Sequence, residues 1–303
     1  MRIVAALGGN ALLQRGEKPD AAIQLTHVTQ AVQALKPLAE HHELIITHGN
    51  GPQIGLLAVE SADDPTLSLP YPLDVLGAQT QGMIGYWLVR ELRAALPGRQ
   101  IVSLLTDTLV RSDDPAFADP TKFIGGQYTS DQADDLTRTR GWTLRQDGKA
   151  WRRVVPSPQP CDILELPAIT QLVDTGWIVV AAGGGGVPVT TNGHRGTEAV
   201  VDKDLTAALL AERLGADILL LLTDVPGIIT DYGTPQARPL RHATPAQVRA
   251  LHLPQGSMGP KADAACRFAE HRPGAIAAIG SLSDAALLLT GESGTQIRTG
   301  PTP

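Results

Sequence analysis

A lysine between two aspartates stands at the start of a predicted helix. Within Glu198–Val225, the residues from Leu205 onward are good helix formers, and Asp217 begins an apolar run typical of a buried strand. Asp202 is suited to cap this helix, and Asp204 suits the positive end of the helix dipole. Lys203 does not, because a cation in the first turn is mildly unfavourable. Its position indicates a side chain that either points into water or meets an anionic ligand.

A second lysine has the same kind of position. The stretch GSMGPKADAACRFAEH places Pro260 at the first position of a predicted helix and Lys261 directly after it. If the two helix N-termini converge, Lys203 and Lys261 bring two full charges and two dipoles to one anion. Phosphoryl transfer needs such an arrangement, since its catalysis consists mostly of positioning and charge stabilisation. Two solvated surface lysines are the alternative interpretation.

Three glycine-rich stretches each follow a predicted strand: ALGGNALL, THGNGPQIG and AAGGGGVPV. Glycine lets the backbone approach a ligand closely and present its amides to phosphate or carboxylate groups. The spacings match neither the GxxxxGK[ST] phosphate loop nor the GxGxxG dinucleotide fingerprint. A single such stretch often serves only to turn the chain, but three together predict an anion site.

Short apolar runs alternate with helical patterns, which predicts a mainly parallel sheet covered on both faces. In such sheets ligands bind at the carboxyl ends of the strands, where the glycine stretches lie. The predicted strands are Arg2–Leu7, Glu43–His48, Ile101–Thr106, Trp177–Ala182, Asp217–Asp224 and Ala275–Ser281. The predicted helices are Asp20–His41, Leu73–Ala95, Lys203–Leu214, Lys261–Arg272 and Ser283–Leu289.

The segment from Arg111 to about Pro160 departs from this alternation. It is rich in Asp, Pro, Arg, Gly and Trp and has no clear core pattern. A segment of this length without such a pattern indicates either an inserted subdomain or a functional flap.

Composition excludes several classes of protein. The net charge of -6 argues against general binding to nucleic acid or to an anionic membrane, since either needs a basic face. Cys161 and Cys266 have neither metal-site nor CxxC spacing, so we interpret them as reduced thiols of a cytoplasmic protein. The apolar run at the N-terminus is too short for a signal peptide, and no apolar stretch reaches membrane-spanning length. We expect a soluble protein.

Segments along nearly the whole chain resemble the carbamate kinases of the amino-acid kinase family. They are ALGGNALL, THGNGPQIG, TQGMIGYWL, DPTKFIG, WRRVVPSPQP, GGGGVPV, AVVDKDLTAALLAE and GSMGPK. The resemblance implies an α/β protein with an open αβα sandwich, a mainly parallel central sheet, a protruding inserted subdomain and, usually, a homodimer. It also implies reversible phosphoryl transfer between carbamoyl phosphate and MgADP, which gives ATP and carbamate.

The resemblance also implies a division of labour along the chain. Residues 1–190, with the flap at about 111–160, would bind the small substrate, and residues 191–303 would bind the nucleotide. Lys203 and Lys261 would neutralise the transferred phosphoryl group, Asp204 would hold them in position, and Lys122 would reach the small substrate from the flap. Donors around carbamate and phosphate are expected from Gly8, Gly9, Asn10, Gly49, Asn50 and Gly51. Nucleotide contacts are expected from Asp202, Thr223, Asp224, Val225, Tyr232 and Met258, with Mg²⁺ brought by the nucleotide and no metal site on the protein.

Two other functions are alternatives to this one. Another small-acid kinase of the family should carry Lys-x-Gly-Gly in its first loop, where this chain has Ala6 in place of the lysine. A non-catalytic nucleotide or oxyanion binder would need the glycine loops but not both lysines with an organising aspartate. We interpret His48 as a structural hydrogen-bond donor rather than a base. Phe123 stands where the family's flap motif usually has a second proline. Arg152 and Arg153 have two interpretations, a solvated run or a role in folding the flap, and their place in the family-like segment WRRVVPSPQP favours the second.

Overall fold

An eight-stranded sheet forms the centre of the computed structural model, which describes residues 1–14, 16–191, 195–253 and 258–300. The strands are β1 (Arg2–Leu7), β2 (Glu43–His48), β3 (Ile101–Ser103), β4 (Asp107–Val110), β5 (Lys122–Tyr128), β6 (Leu144–Asp147), β7 (Ala150–Val155), β8 (Pro160–Ile163), β9 (Ile178–Val180), β10 (Val187–Thr190), β11 (Ile218–Thr223), β12 (Ile229–Thr230), β13 (Arg238–Pro239), β14 (His242–Ala243), β15 (Ile276–Ser281) and β16 (Thr295–Ile297). The α-helices of this part are α1 (Ala21–His41), α2 (Gly51–Asp63), α3 (Leu73–Ala95), α4 (Ser130–Arg140), α5 (Leu166–Asp174), α6 (Lys203–Arg213), α7 (Pro245–Arg249), α8 (Met258–His271) and α9 (Ala285–Thr290).

The central sheet has the order β14-β16-β15-β11-β1-β2-β9-β3, and all its pairs are parallel except β15 with β16. The predicted α/β class with a mainly parallel sheet is therefore confirmed. Each strand of such a sheet is buried on both faces, which is why the central strands are continuous apolar runs.

Strand β1 shows how the sheet divides the core into two layers. Ile3 and Leu7 join a cluster formed with α1 and α3, whereas Val4 and Ala6 join a cluster formed with α6 and α8. The alternation follows from the two-residue period of a strand, which sends successive side chains to opposite faces. The helices thus cover both faces, as the alternating pattern predicts.

The segment of unusual composition is an inserted subdomain, which we call the flap (residues 111–160). It contains a three-stranded antiparallel sheet in the order β5-β7-β6, together with α4. Thr129 and Gln132 form a capping box at the start of α4, and Gly141 ends the helix in a left-handed conformation with φ of 64°. The flap has local order of its own, which the composition alone did not indicate.

Other boundaries differ from the predictions in physically understandable ways. Helix α2 was not predicted, because its first turn overlaps the second glycine stretch and contains Pro52, which is tolerated there. Strand β3 ends at Ser103, earlier than predicted. Beyond it, the side-chain amide of Gln81 donates to the Thr106 carbonyl and accepts from the Thr106 backbone amide, both at 3.0 Å. Among helices of the described residues, none is long and apolar enough to cross a membrane.

Candidate active site

The carboxyl ends of β1, β2 and β11 meet at one edge of the sheet. Leu7 pairs in register with His48 on one side and with Leu222 on the other. The Gly8 amide donates to the Leu222 carbonyl at 2.9 Å, and the Gly49 amide donates to the Leu7 carbonyl at 2.9 Å. The first two glycine stretches are therefore side by side, as expected for a ligand site in a parallel sheet.

Gly49 permits a close approach of Lys203 to both stretches. A Cβ atom at Gly49 would lie 2.9 Å from the Gly9 nitrogen and 3.1 Å from Cδ of Lys203. Any larger residue would push apart the first loop and the lysine stem. The α6 N-terminus thus packs directly against the loops that lie at the end of β1 and β2.

Asp204 brings two lysines from two helices together. The Lys203 ammonium donates to Oδ1 of Asp204 at 2.6 Å, and the Lys261 ammonium, carried by α8, donates to Oδ2 at 3.2 Å. Asp204 is only 3% exposed. The interpretation of these lysines as solvated surface residues is therefore wrong. Helix α8 also begins before Pro260, which moves Lys261 to its fourth residue rather than its second.

The charges of this cluster depend on one another. Burial alone would raise the pKa of Asp204, but the two ammonium groups outweigh it and hold the pKa of the carboxyl below its usual range. For Lys203, burial dominates and lowers the pKa despite the attraction of Asp204. For Lys261, burial also acts to lower the pKa, but its contacts with Asp204 prevail and raise it. With two ammonium groups and one carboxylate, the cluster carries an excess positive charge suited to an anion.

Asp202 joins the flap to the same helix. Its Oδ1 accepts from the amides of Asp204 at 2.9 Å and Leu205 at 3.3 Å, which confirms the predicted N-cap. Its Oδ2 accepts from the ammonium of Lys122, the first residue of β5. Burial alone would raise the pKa of Asp202, but Lys122 and Lys203 hold it below the usual range of a carboxyl. Lys122 therefore lies beside the N-terminus of α6, although it is far from Asp202 in sequence.

The third glycine stretch lies beneath the second one and is buried. A Cβ atom at Gly183 would collide with the imidazole of His48, and one at Gly184 would collide with the side-chain amide of Asn50. Ala182, at its start, has a left-handed φ of 53°. The glycines are needed here for close packing under β2 and α2.

Buried threonines hold this third stretch in place. The Thr47 hydroxyl donates to the Ala182 carbonyl at 2.9 Å, and the Thr106 hydroxyl accepts from the Ala182 amide at 3.1 Å. The hydroxyls of Thr108 and Thr206 both donate to the Gly185 carbonyl, at 2.8 and 3.1 Å. No local pattern in the sequence marks these residues, because Thr47 and Thr108 lie in strands, where threonine is ordinary, and only the tertiary arrangement makes the four converge.

His48 and Asn50 support the edge of the site with their side chains. The Nδ1 of His48 donates to the Gly49 carbonyl at 3.0 Å, which confirms its interpretation as a structural donor. Burial lowers the pKa of His48 to about 4, so its ring is neutral at pH 7. The Asn50 side chain donates to Oγ of Thr80 on α3 at 2.9 Å.

The residues expected to bind the small substrate lie at this edge where the structure describes them. Gly8 and Gly9 follow β1, Gly49 and Asn50 follow β2, and Gly51 begins α2. The side chain of Asn10 lies outside the described part of the structure. What these residues bind remains a prediction.

The residues expected to bind the nucleotide continue from β11. Thr223 ends this strand beside Gly8, and its hydroxyl donates to Asp224 at 3.1 Å. Val225 and Tyr232 are both exposed, Tyr232 to 82%. Met258, at the start of α8, packs against the core layer next to α6. The described residues include no group of three or more His, Cys, Asp or Glu side chains that could hold a metal ion.

Comparisons with known proteins agree with this geometry. The profile described as the amino acid kinase family matches residues 1–278. A carbamate kinase of Rhizobium meliloti is 46% identical over 304 residues, covering 98% of this chain and 93% of that protein. A carbamate kinase of Escherichia coli O6:H1 is 49% identical over 295 residues, covering 97% and 98%.

Solved structures give the same result. The carbamate kinase of Giardia lamblia bound to AMP-PNP superposes with a TM-score of 0.89 at 38% sequence identity, covering 98% of both chains. Because both the sequence and the fold match over almost the full length, the likeness is not confined to one motif. The chain therefore belongs to the amino acid kinase family and, within it, to the carbamate kinases.

Proposed function

We propose that Lys203, Lys261 and Asp204 form the charge-stabilising centre for phosphoryl transfer between carbamoyl phosphate and MgADP. The observation that carries this proposal is the buried Asp204 carboxylate, which holds the ammonium groups of two helices beside two glycine stretches. A positive cluster that is already in place costs no reorganisation when charge develops on the transferred group.

The chemistry needs position and charge rather than a base. The bond between phosphorus and the carbamate oxygen breaks, and its electron pair stays on carbamate. A new bond forms between phosphorus and an oxygen of the ADP β-phosphate, so no proton has to move. Lys203 and Lys261 offset the charge on the equatorial oxygens in the loose transition state. The buried, neutral His48 takes no part as a base.

Carbamate and its phosphate would lie against the amides that follow β1 and β2. Gly9, Asn50 and Gly51 would offer backbone donors at that edge, whereas the amides of Gly8 and Gly49 already donate to the Leu222 and Leu7 carbonyls. Lys122 would reach the substrate from the flap, exchanging its contact with Asp202 for one with the substrate. This exchange would tie substrate binding to closure of the flap.

The nucleotide would lie over the end of β11, with Thr223, Asp224 and Val225 beneath it and Tyr232 and Met258 nearby. Support comes from the order of the sheet, in which β2, β9 and β3 lie on one side of β1 and strands from residues 191–303 lie on the other. The AMP-PNP complex of the Giardia lamblia relative supports a nucleotide site in this fold. Mg²⁺ would arrive with ADP as part of the substrate and be held by its phosphates. The division into an acceptor half, residues 1–190, and a nucleotide half, residues 191–303, follows the same order.

A homodimer in the cytoplasm is the setting we propose for the enzyme. Strand β3 is an edge of the central sheet, and beside it lies a groove of about 550 Å³ between β3 and α3. Tyr86 and Leu105 line this groove and are 61% and 57% exposed. An uncovered edge strand beside exposed apolar residues is suited to a second copy of the chain. The two cysteines are free thiols, as the cytoplasm would keep them.

A coupled assay tests the function directly. Purified protein is given MgADP with carbamoyl phosphate, and ATP formation is followed in parallel with acetyl phosphate in its place. We expect turnover with carbamoyl phosphate that greatly exceeds turnover with acetyl phosphate. Equal turnover of both, or none with either, would overturn the assignment.

A further inference from the structure

The residues just before α6 hold the flap through two acidic side chains. We call residues 195–202 the strap. Asp202 of the strap pairs with Lys122, and Oε1 of Glu198 accepts from the Arg153 guanidinium at 3.2 Å. Between them, the Val200 amide donates to the Pro156 carbonyl at 2.9 Å. The strap therefore runs along the flap and ends at Asp202, directly before the first residue of α6.

Glu198 has a second partner outside the flap. Its Oε2 accepts from the amide of Leu73, the first residue of α3, at 2.8 Å. Helix α3 in turn carries Thr80, which accepts from Asn50 at the edge of the site. One carboxylate thus joins the strap, the flap and a core helix.

Arg153 is held tightly on its side of this pair. Its guanidinium carbon lies 4.3 Å from the centroid of the Trp142 ring, and its side chain is 14% exposed. Burial lowers the pKa of Arg153 in spite of its contact with Glu198. The charge of a guanidinium so placed is poorly compensated when its carboxylate partner is removed, because little water reaches it.

The pair is adjacent to the flap lysine. Arg153 of β7 pairs in register with Ile124 of β5, and Lys122 lies two residues before Ile124 on that strand. Ile124 is buried where the flap meets α2. A restraint on Arg153 is therefore transmitted through one pair of strands to the backbone that carries Lys122.

We propose that Glu198 is a positioning residue, which holds the flap over the acceptor site through Arg153 and so keeps Lys122 in place. This inference rests on the proposed role of Lys122 in binding the small substrate. It implies that loss of the pair weakens binding of carbamoyl phosphate more than binding of MgADP, because the nucleotide is placed on the other side of the site.

Glu198→Gln is the variant that isolates the charge. Glutamine keeps the length of the side chain and an oxygen for the Leu73 amide. Because Glu198 is itself 53% exposed, we expect a moderate effect. The KM for carbamoyl phosphate should rise about 3- to 10-fold, with the KM for MgADP and kcat changed by less than about 2-fold.

Hydrogen exchange in the ligand-free protein gives a readout independent of activity. Amides of residues 122–155 should exchange about 3- to 10-fold faster in Glu198→Gln, while those of β1 and β11 are unchanged. Arg145→Gln is the matched control, because the ion pair of Arg145 with Asp119 joins two residues of the flap and does not involve the strap. It should change neither the flap exchange nor the KM for carbamoyl phosphate.

A double variant tests whether Glu198 acts through Arg153. Arg153→Met keeps most of the apolar stem, and the combination with Glu198→Gln should raise the KM no further than the larger single effect. The proposal is overturned if flap exchange in Glu198→Gln equals that of the wild type, or if the two effects on KM multiply. Absence of ATP formation by the wild type would instead contradict the proposed function, and the exchange data would still decide the role of Glu198.

Discussion

At the residue scale, the two lysines that break the helix-dipole rule are the ones whose charges meet at Asp204. We expect Lys203→Ala and Lys261→Ala each to lower kcat by at least about 100-fold, the scale of losing one preorganised charge. Steady-state rates of ATP formation measure this. Lys36→Ala on α1 is the control, since the Lys36 side chain is 40% exposed and its Nζ lies 3.9 Å from Oε1 of Glu40, one turn away. A kcat equal to that of the wild type in either lysine variant would show that this lysine takes no part in catalysis.

His48 makes a different prediction, about stability and pH. Its pKa is about 4 in the folded protein against 6.5 when unperturbed, so the unfolded chain binds more protons between these values. The contribution of neutral His48 is therefore fully present above pH 6.5 and is lost as the pH falls toward 4. Urea unfolding at a series of pH values should show a steeper loss of stability for the wild type than for His48→Gln. Equal slopes would show that His48 is not buried in its neutral form.

The sequence predicted part of this site for a definite reason. Lys203 and Lys261 are visible because each violates a local rule of helix termini, and the cap at Asp202 is visible because it obeys one. The ion pair of Lys122 with Asp202 joins residues 80 positions apart, and no local pattern indicates it. The supporting threonines were missed for the same reason.

At the element scale, stacking and ion pairs help to order the flap, together with a small apolar contact of Ile124 and Val155 with α2. Trp142 stacks with Arg153, and the Phe123 ring has the Arg152 guanidinium 5.3 Å from its centroid. Contacts of this kind leave no apolar periodicity in the sequence, which is why the composition suggested a segment without a core pattern. The strands β1 and β2 were predicted to the residue, because buried parallel strands are apolar runs with sharp ends.

Phe123 provides a test of the flap's internal order. We expect Phe123→Ala to raise the KM for carbamoyl phosphate about 3-fold or more, because it removes the ring on which Arg152 stacks. Phe123→Pro, which restores the family's usual residue, restrains the backbone of Lys122 and should raise the KM less than alanine does. Steady-state kinetics of both variants measure this. An equal and large rise of the KM in both variants would mean that the ring itself is needed and that the backbone restraint of proline does not compensate for its loss.

At the scale of the whole molecule, the site lies at the point in the sheet where the order of the strands reverses. Strand β2 lies on one side of β1, and β11, which begins the strands of the C-terminal half, lies on the other. Ligands bind at such a junction in open sheets. Helices on both faces bring Lys203 and Lys261 to it from one core layer, while Asn50 is supported from the other.

The groove beside β3 gives a prediction about assembly. Tyr86→Glu should convert the proposed homodimer to a monomer, because it replaces an exposed ring of the groove with a charge that a partner would have to bury. Size-exclusion chromatography with light scattering measures the mass of both proteins. Tyr71→Glu is the matched control, since Tyr71 is also exposed and lies outside the groove. A wild type of single-chain mass, or a dimer that survives the Tyr86 change, would contradict this placement.

The measurement that tests the central claim most directly is the kcat of Asp204→Asn. Asparagine keeps the shape of the side chain but leaves two ammonium groups without the carboxylate that holds them. Asp263→Asn, on the same helix as Lys261 and largely exposed, is the control, and thermal melting of both variants establishes that folded proteins are compared. The account predicts a kcat at least about 100-fold below that of the wild type and the control. A kcat within about 2-fold of the wild type would show that Asp204 does not organise the lysines for catalysis.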